Sequence, residues 1–147
     1  LLRYLKKIFY NSVAELRYIC NMKKERFSWK KRARSFRYAF AGIRSLIATE
    51  HNAWIHAAAA VCAIAAGIGF SVSATEWTAI VLCIGGVLAA EGFNSAIEAL
   101  ADRVSPGYDE AVKRTKDIAA GAVLLTAIAA AVTGLIIFVP KIAGLIE

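Results

Sequence analysis

Between Ala53 and Ala90 the chain has no lysine and no arginine, and Glu76 is the single carboxylate there. So long an uncharged stretch does not belong to an ordinary soluble domain of 147 residues. Cysteine is scarce as well. Cys20, Cys62 and Cys83 are odd in number and lack metal-binding spacing, which leaves small apolar packing as the role of the last two. The two histidines, His51 and His56, are five residues apart and turn away from each other on a helix, and no HExxH accompanies them. They read as polar residues at a membrane interface. Glycine-rich phosphate loops are missing too. Without GxxxxGKS/T, or GxGxxG after a strand, a P-loop, a protein-kinase loop and a Rossmann fold are unsupported. No short apolar run ending in a small-residue cleavage site reads as a signal peptide.

What is present is greasy and unevenly charged. Hydrophobic residues make up 59% of the chain and charged ones 20%, and thirteen of the eighteen Lys and Arg fall between Arg3 and Arg44. A basic arm followed by apolar runs predicts a small all-α integral membrane protein whose amino-terminal side is cytoplasmic. Each of three runs approaches the roughly 20 apolar residues a spanning helix needs. The first runs from about Ile55 to Phe70 or Val72. The second starts at Trp77, stays uncharged to Ala90 and continues. The third, Ile118 to Val139, is closed by Pro140 and Lys141. SVSATE joins the first two as a hairpin, and Trp54 and Trp77 sit where interfacial aromatics belong.

Ahead of the spans, Phe36, Tyr38, Phe40 and Ile43 interleave with basic residues, predicting an amphipathic helix over about Trp29 to Ala48 on an anionic membrane surface. Nucleic-acid binding is the weaker alternative for that charge. Residues 1–26 read as a basic extension of unsettled status, in which Leu2, Leu5, Ile8 and Phe9 face Arg3, Lys6 and Lys7. Residues 27–147 read as the membrane-embedded domain. The sole methionine, Met22, is a plausible start.

The stretch Glu91 to Arg103, EGFNSAIEALADR, is the chemically loaded one. Steps of three, four, seven and eleven residues put Glu91, Asn94, Ser95, Glu98 and Asp102 on one helical stripe at the end of an apolar run. Carboxylates entering a hydrophobic span are costly unless paired or bound to a cation, so such a stripe is a candidate site. Charge-derived topology brings Glu50 at the foot of the first span, this stripe, and Lys116 and Asp117 at the start of the third to one membrane face. Asp102 and Arg103 offer an interfacial ion pair. Gly67, Gly69, Gly85, Gly86, Gly121 and Gly134 lie among alanines, where small residues let helices approach closely and associate.

EGFNSAIEALADR, KRTKDIAAGAVLL, FRYAFAGI and TEHNAWIH together resemble the prokaryotic diacylglycerol kinase family, which includes the undecaprenol kinases. The likeness covers roughly Phe27 to Ile142, and TEHNA and IIFVPKI look more like the undecaprenol kinase branch. It implies a homotrimer in the bacterial cytoplasmic (inner) membrane with its active site on the cytoplasmic side. It further implies Mg²⁺- and ATP-dependent phosphorylation of a lipid hydroxyl, either diacylglycerol or undecaprenol. Glu91 matches the family's general base, and Glu50 and Glu98 its metal-coordinating glutamates. Lys116 and Asp117 match the KD pair at the nucleotide, and Tyr38 an aromatic residue of the surface helix near it. Asn94, one turn from both Glu91 and Glu98, is placed to hold them or a phosphate, and the loop at Tyr108 and Asp109 lies close to the nucleotide. The alternative from another class is a non-catalytic small oligomeric membrane protein whose carboxylate cluster binds cations or relays protons.

Overall fold

The structure, a computed structural model, describes residues 27–145. The basic extension read for residues 1–26, including its Leu2, Leu5, Ile8 and Phe9 face, lies outside the described residues. Four helices follow in order: α1 Trp29–Thr49, α2 His51–Gly69, α3 Ala74–Val104 and α4 Glu110–Ala143. No strand occurs among the described residues, and α2, α3 and α4 are long and apolar enough to cross a membrane. The protein is an all-helical membrane protein. With 19, 31 and 34 residues, the three helices rise about 28, 46 and 51 Å. A hydrocarbon layer of about 30 Å therefore leaves the ends of α3 and α4 outside it.

The chain divides into two compact units at Arg37 and Tyr38. In the first, Phe27 meets Trp29 edge-on at 5.0 Å, and the Arg32 guanidinium lies 5.7 Å from the Phe27 ring centre, a cation–π arrangement. Along all of α1 no residue is buried.

In the second unit, Glu50 alone separates α1 from α2. Its amide donates to the Leu46 carbonyl at 3.0 Å, completing the last turn of α1, while its extended backbone makes it the N-cap of α2. A negative side chain at a helix N-terminus is favoured by the helix dipole. At the other end of α2, Ser71 takes a left-handed φ of 50°. The Val72 amide then donates back to Gly67 and the Ser71 amide to Ile68, the Schellman closure that a left-handed residue permits.

Ser73 and Glu76 next form a reciprocal capping box that starts α3, with Ser73 N–H to Glu76 Oε2 at 2.7 Å. Glu76 also pairs with Lys141 of α4 at 3.1 Å. The one charge of the long apolar stretch is thus consumed by a helix cap and an ion pair. Asp109 caps α4 through the Val112 amide at 3.0 Å.

Pro140 does not close the third span as its sequence position suggests. It lies inside α4, which continues to Ala143. Proline removes a donor but keeps its carbonyl, and that carbonyl accepts the Gly144 amide at 3.1 Å.

The helix α3 is the shared partner, packed on α2 and more extensively on α4. Ile80, Ile137 and Val72 form a small buried cluster beside Phe70, Trp77 and Phe138. This end is far from the acidic stripe. Trp77, expected as an interfacial anchor, is half-buried here, and a Cβ on Gly67 would sit 2.9 Å from its ring edge. Gly67→Ala is therefore expected to destabilise the protein by about 1–3 kcal/mol, because a rigid indole must move. Gly69→Ala, where a Cβ meets nothing within 4 Å, is expected to be neutral or stabilising, since alanine is the better helix former. Thermal unfolding of both variants in detergent checks the contrast.

Candidate functional site

From Glu91 to Glu98 the stripe deduced from spacing faces inward, whereas Asp102 at its end is exposed. Ile80, Val87, Glu91 and Asn94 are the buried residues of α3, and Ser95 and Glu98 are half-buried. Glu91 is 1% exposed and is the largest fully buried side chain among the described residues. Its neighbours follow from register. Fourteen residues back along α2 from Gly67 lies Ala53, and fourteen on along α3 from Trp77 lies Glu91; Ala53 is 0% exposed. Three residues further in these opposite directions, Glu50 and Asn94 share a level. The junction of α1 and α2 thus delivers Glu50 to the acidic stripe, and Glu50, Glu98 and His56 all lie within electrostatic reach of Glu91.

Hydrogen bonding inside this cluster is incomplete. The Asn94 amide donates to Glu98 Oε1 at 3.2 Å, and the Ser95 hydroxyl donates to the Glu91 backbone carbonyl at 3.0 Å. Glu50 accepts from the Thr49 hydroxyl at 3.2 Å. Glu91 Oε2 and Asn94 Oδ1 are buried with no hydrogen-bond partner. Two buried acceptors left open are expensive to maintain and call for a proton, a donor or a cation.

The KD pair divides. The Lys116 ammonium contacts Asp102 Oδ1 at 2.9 Å and lies within electrostatic reach of Glu98, so it joins the stripe. Asp102 therefore pairs with Lys116 across two helices rather than with its chain neighbour Arg103. Asp117 instead pairs with Lys113 one turn away. It lines an open recess of about 620 Å³ with Tyr108, Lys113 and Arg114. Tyr38 is 61% exposed. Twelve residues before Glu50, it stands about 18 Å from that carboxylate along the helix. A second recess of about 620 Å³ opens between the later part of α1 and α3, bounded by Ile43, Leu46, Glu50, Gly92 and Ser95.

His56 is the residue that sequence reasoning undervalued. It occupies the inward stripe of α2, half-buried, and its electrostatic influence on Glu91 crosses between helices, which spacing within one helix cannot reveal.

Among the described residues no three His, Cys, Asp or Glu side chains form a ready-made metal cage. The donors present suit a different arrangement. Magnesium commonly takes one or two carboxylates and completes its shell with water and substrate phosphate oxygens, and Glu50 and Glu98 supply such a pair beside open acceptors. The residues fit that ion.

One buried carboxylate, Glu91, with Glu50 and Glu98 half-buried beside it and a lysine at one end of the stripe, makes a candidate site on membrane-length helices. The profile described as "Prokaryotic diacylglycerol kinase" matches residues 37–138. The chain is 39% identical over 109 residues to the undecaprenol kinase of Bacillus subtilis (strain 168), covering 74% of this chain and 89% of that one. It is 38% identical over 112 residues to the diacylglycerol kinase of Synechocystis sp. (strain ATCC 27184 / PCC 6803 / Kazusa), covering 76% of this chain and 64% of that one, just under two thirds of the relative's length. The chain belongs to the prokaryotic diacylglycerol kinase family, and its class is that of a lipid kinase.

Proposed function

We propose that the protein transfers the γ-phosphate of Mg²⁺-ATP to the hydroxyl of a membrane lipid, diacylglycerol or undecaprenol, giving phosphatidic acid or undecaprenyl phosphate. The observation that carries this is Glu91, a carboxylate buried in an apolar helix with one oxygen unpartnered. Glu91 accepts the proton of the lipid hydroxyl, and that oxygen attacks the γ-phosphorus. A new P–O bond forms to the lipid while the bond to the β–γ bridging oxygen breaks and ADP leaves. Phosphoryl transfer asks mainly for positioning and charge neutralisation, and this cluster supplies both.

Glu50 and Glu98 would hold Mg²⁺, which neutralises phosphate charge when bound. Asn94 keeps Glu98 in place through the hydrogen bond already described. Lys116 turns from Asp102 to the phosphates, Asp117 and the recess at Tyr108 face the nucleotide, and Tyr38 meets its far end. The basic helix α1 rests on anionic lipid at the cytoplasmic face of the bacterial inner membrane, and the working unit is a homotrimer. The identities of 39% to an undecaprenol kinase and 38% to a diacylglycerol kinase support either lipid as substrate.

The direct test supplies purified protein with Mg²⁺-ATP and either lipid and follows phosphorylated lipid. Absence of product from both overturns the proposal in favour of a non-catalytic cation-binding protein. The ion pair gives a finer check. The Lys116 and Asp102 side chains are 33% and 68% exposed, so Asp102→Asn is expected to cost under about 1 kcal/mol of stability. Lys116→Met is expected to raise the KM for ATP and lower kcat, as steady-state kinetics will show.

A further inference from the structure

The acceptor at Glu91 is open, and the groups around it are unequal in what they can offer. Those acting on it electrostatically are Glu50, Glu98 and His56. Ionised carboxylates only accept hydrogen bonds, whereas an imidazole carries at least one N–H. Of the donors on its own helix, Asn94 Nδ2 spends one of its two N–H groups on Glu98 and the Ser95 hydroxyl gives to a backbone carbonyl. His56 brings a donor from the facing helix.

Its placement on α2 agrees. Ala53 and Gly67 are the buried residues of that helix, and Ala57, Ala60 and Ala63 between them are half-buried, as is His56. Trp54, Ile55, Val61, Ile64 and Ile68 face outward. His56 follows Ala53 by one turn on the same face, and Ala53 is level with Glu91. On its other side it bounds an otherwise almost wholly apolar cavity of about 200 Å³, shared with Val87, Leu88 and Ala127. A polar ring on a face otherwise made of alanine and glycine, one turn from the level of a buried acceptor, is placed to serve it.

We propose that His56 is a positioning residue for Glu91. Its imidazole donates a hydrogen bond to one carboxylate oxygen, which leaves the other aimed at the lipid hydroxyl. This rests on Glu91 being the general base.

The test compares His56→Leu with His56→Gln, which keeps an N–H donor. His56→Leu is expected to lower kcat about tenfold or more with the KM for ATP unchanged, since a misplaced base slows chemistry without loosening the nucleotide. His56→Gln is expected to keep most of kcat. A wild-type kcat for His56→Leu, or equal losses in both variants, overturns the proposal. A second measurement needs no activity. The chain has two histidines, so ring-¹⁵N-labelled protein carrying His51→Asn reports on His56 alone. Glu91→Leu is expected to shift the His56 ring resonances, and unchanged resonances overturn the contact. Failure of the wild-type protein to phosphorylate lipid would instead remove the kinase proposal and leave this contact to the spectrum.

Discussion

Glu91→Gln is expected to lower lipid phosphorylation by about 10²–10⁴-fold, the contribution typical of a positioned general base, while leaving thermal stability equal or higher. The two expectations have one origin. Glutamine preserves the shape of the side chain at this 1% exposed position but cannot take a proton from the lipid hydroxyl. Burying a neutral amide costs less than burying a carboxylate with one oxygen unpartnered, so folding does not suffer. A carboxylate retained for structure would behave in the opposite way, because removing one member of a structural network destabilises. Measuring phosphorylated lipid and the unfolding midpoint on one preparation separates them. A variant within twofold of the wild-type rate, or one that loses activity only in proportion to lost fold, sinks the role given to Glu91.

How far the sequence led can be judged residue by residue. The burial of Glu91 and Asn94 was legible because a 3.6-residue period is a property of one helix, and the uncharged run before them showed which solvent that helix meets. Gathering Glu50 with the stripe was legible only because basic residues orient the spans. Contacts between helices were less so. Lys116 and Asp102 meet across a turn fourteen residues long in sequence separation, and nothing in the local pattern favours that pair over Asp102 and Arg103. The approach of His56 to Glu91 was hidden for the same reason, since the helical period shows a face but not what packs on it. The SATE capping box did carry a local signal in Ser73 and Glu76, spaced as such boxes are, and reading SVSATE only as a linker passed over it. Pro140 marks the end of the apolar run but not of the helix, which continues to Ala143.

Glu50→Gln and Glu98→Gln are each expected to reduce the rate about 100-fold and to raise the Mg²⁺ concentration for half-maximal activity about tenfold. Even outer-shell partners of bound metals are worth about 10–100-fold, so direct ligands lie at the upper end. The double variant is expected to lose little more than either single one, because groups that act as a unit are strongly non-additive. Purely electrostatic tuning of Glu91 predicts something else. Glu50 and Glu98 are like charges near that carboxylate, and in that case their removal would alter the base independently of Mg²⁺ and the two effects would add. Rate measured across a Mg²⁺ titration distinguishes the cases, with Mg²⁺-dependent binding of a nucleotide analogue as the readout that needs no turnover. Superimposable titrations for wild type and both single variants would mean that the ion is held elsewhere. Asn94→Ala should then leave the Mg²⁺ titration unchanged as well, because its side-chain donor goes to Glu98.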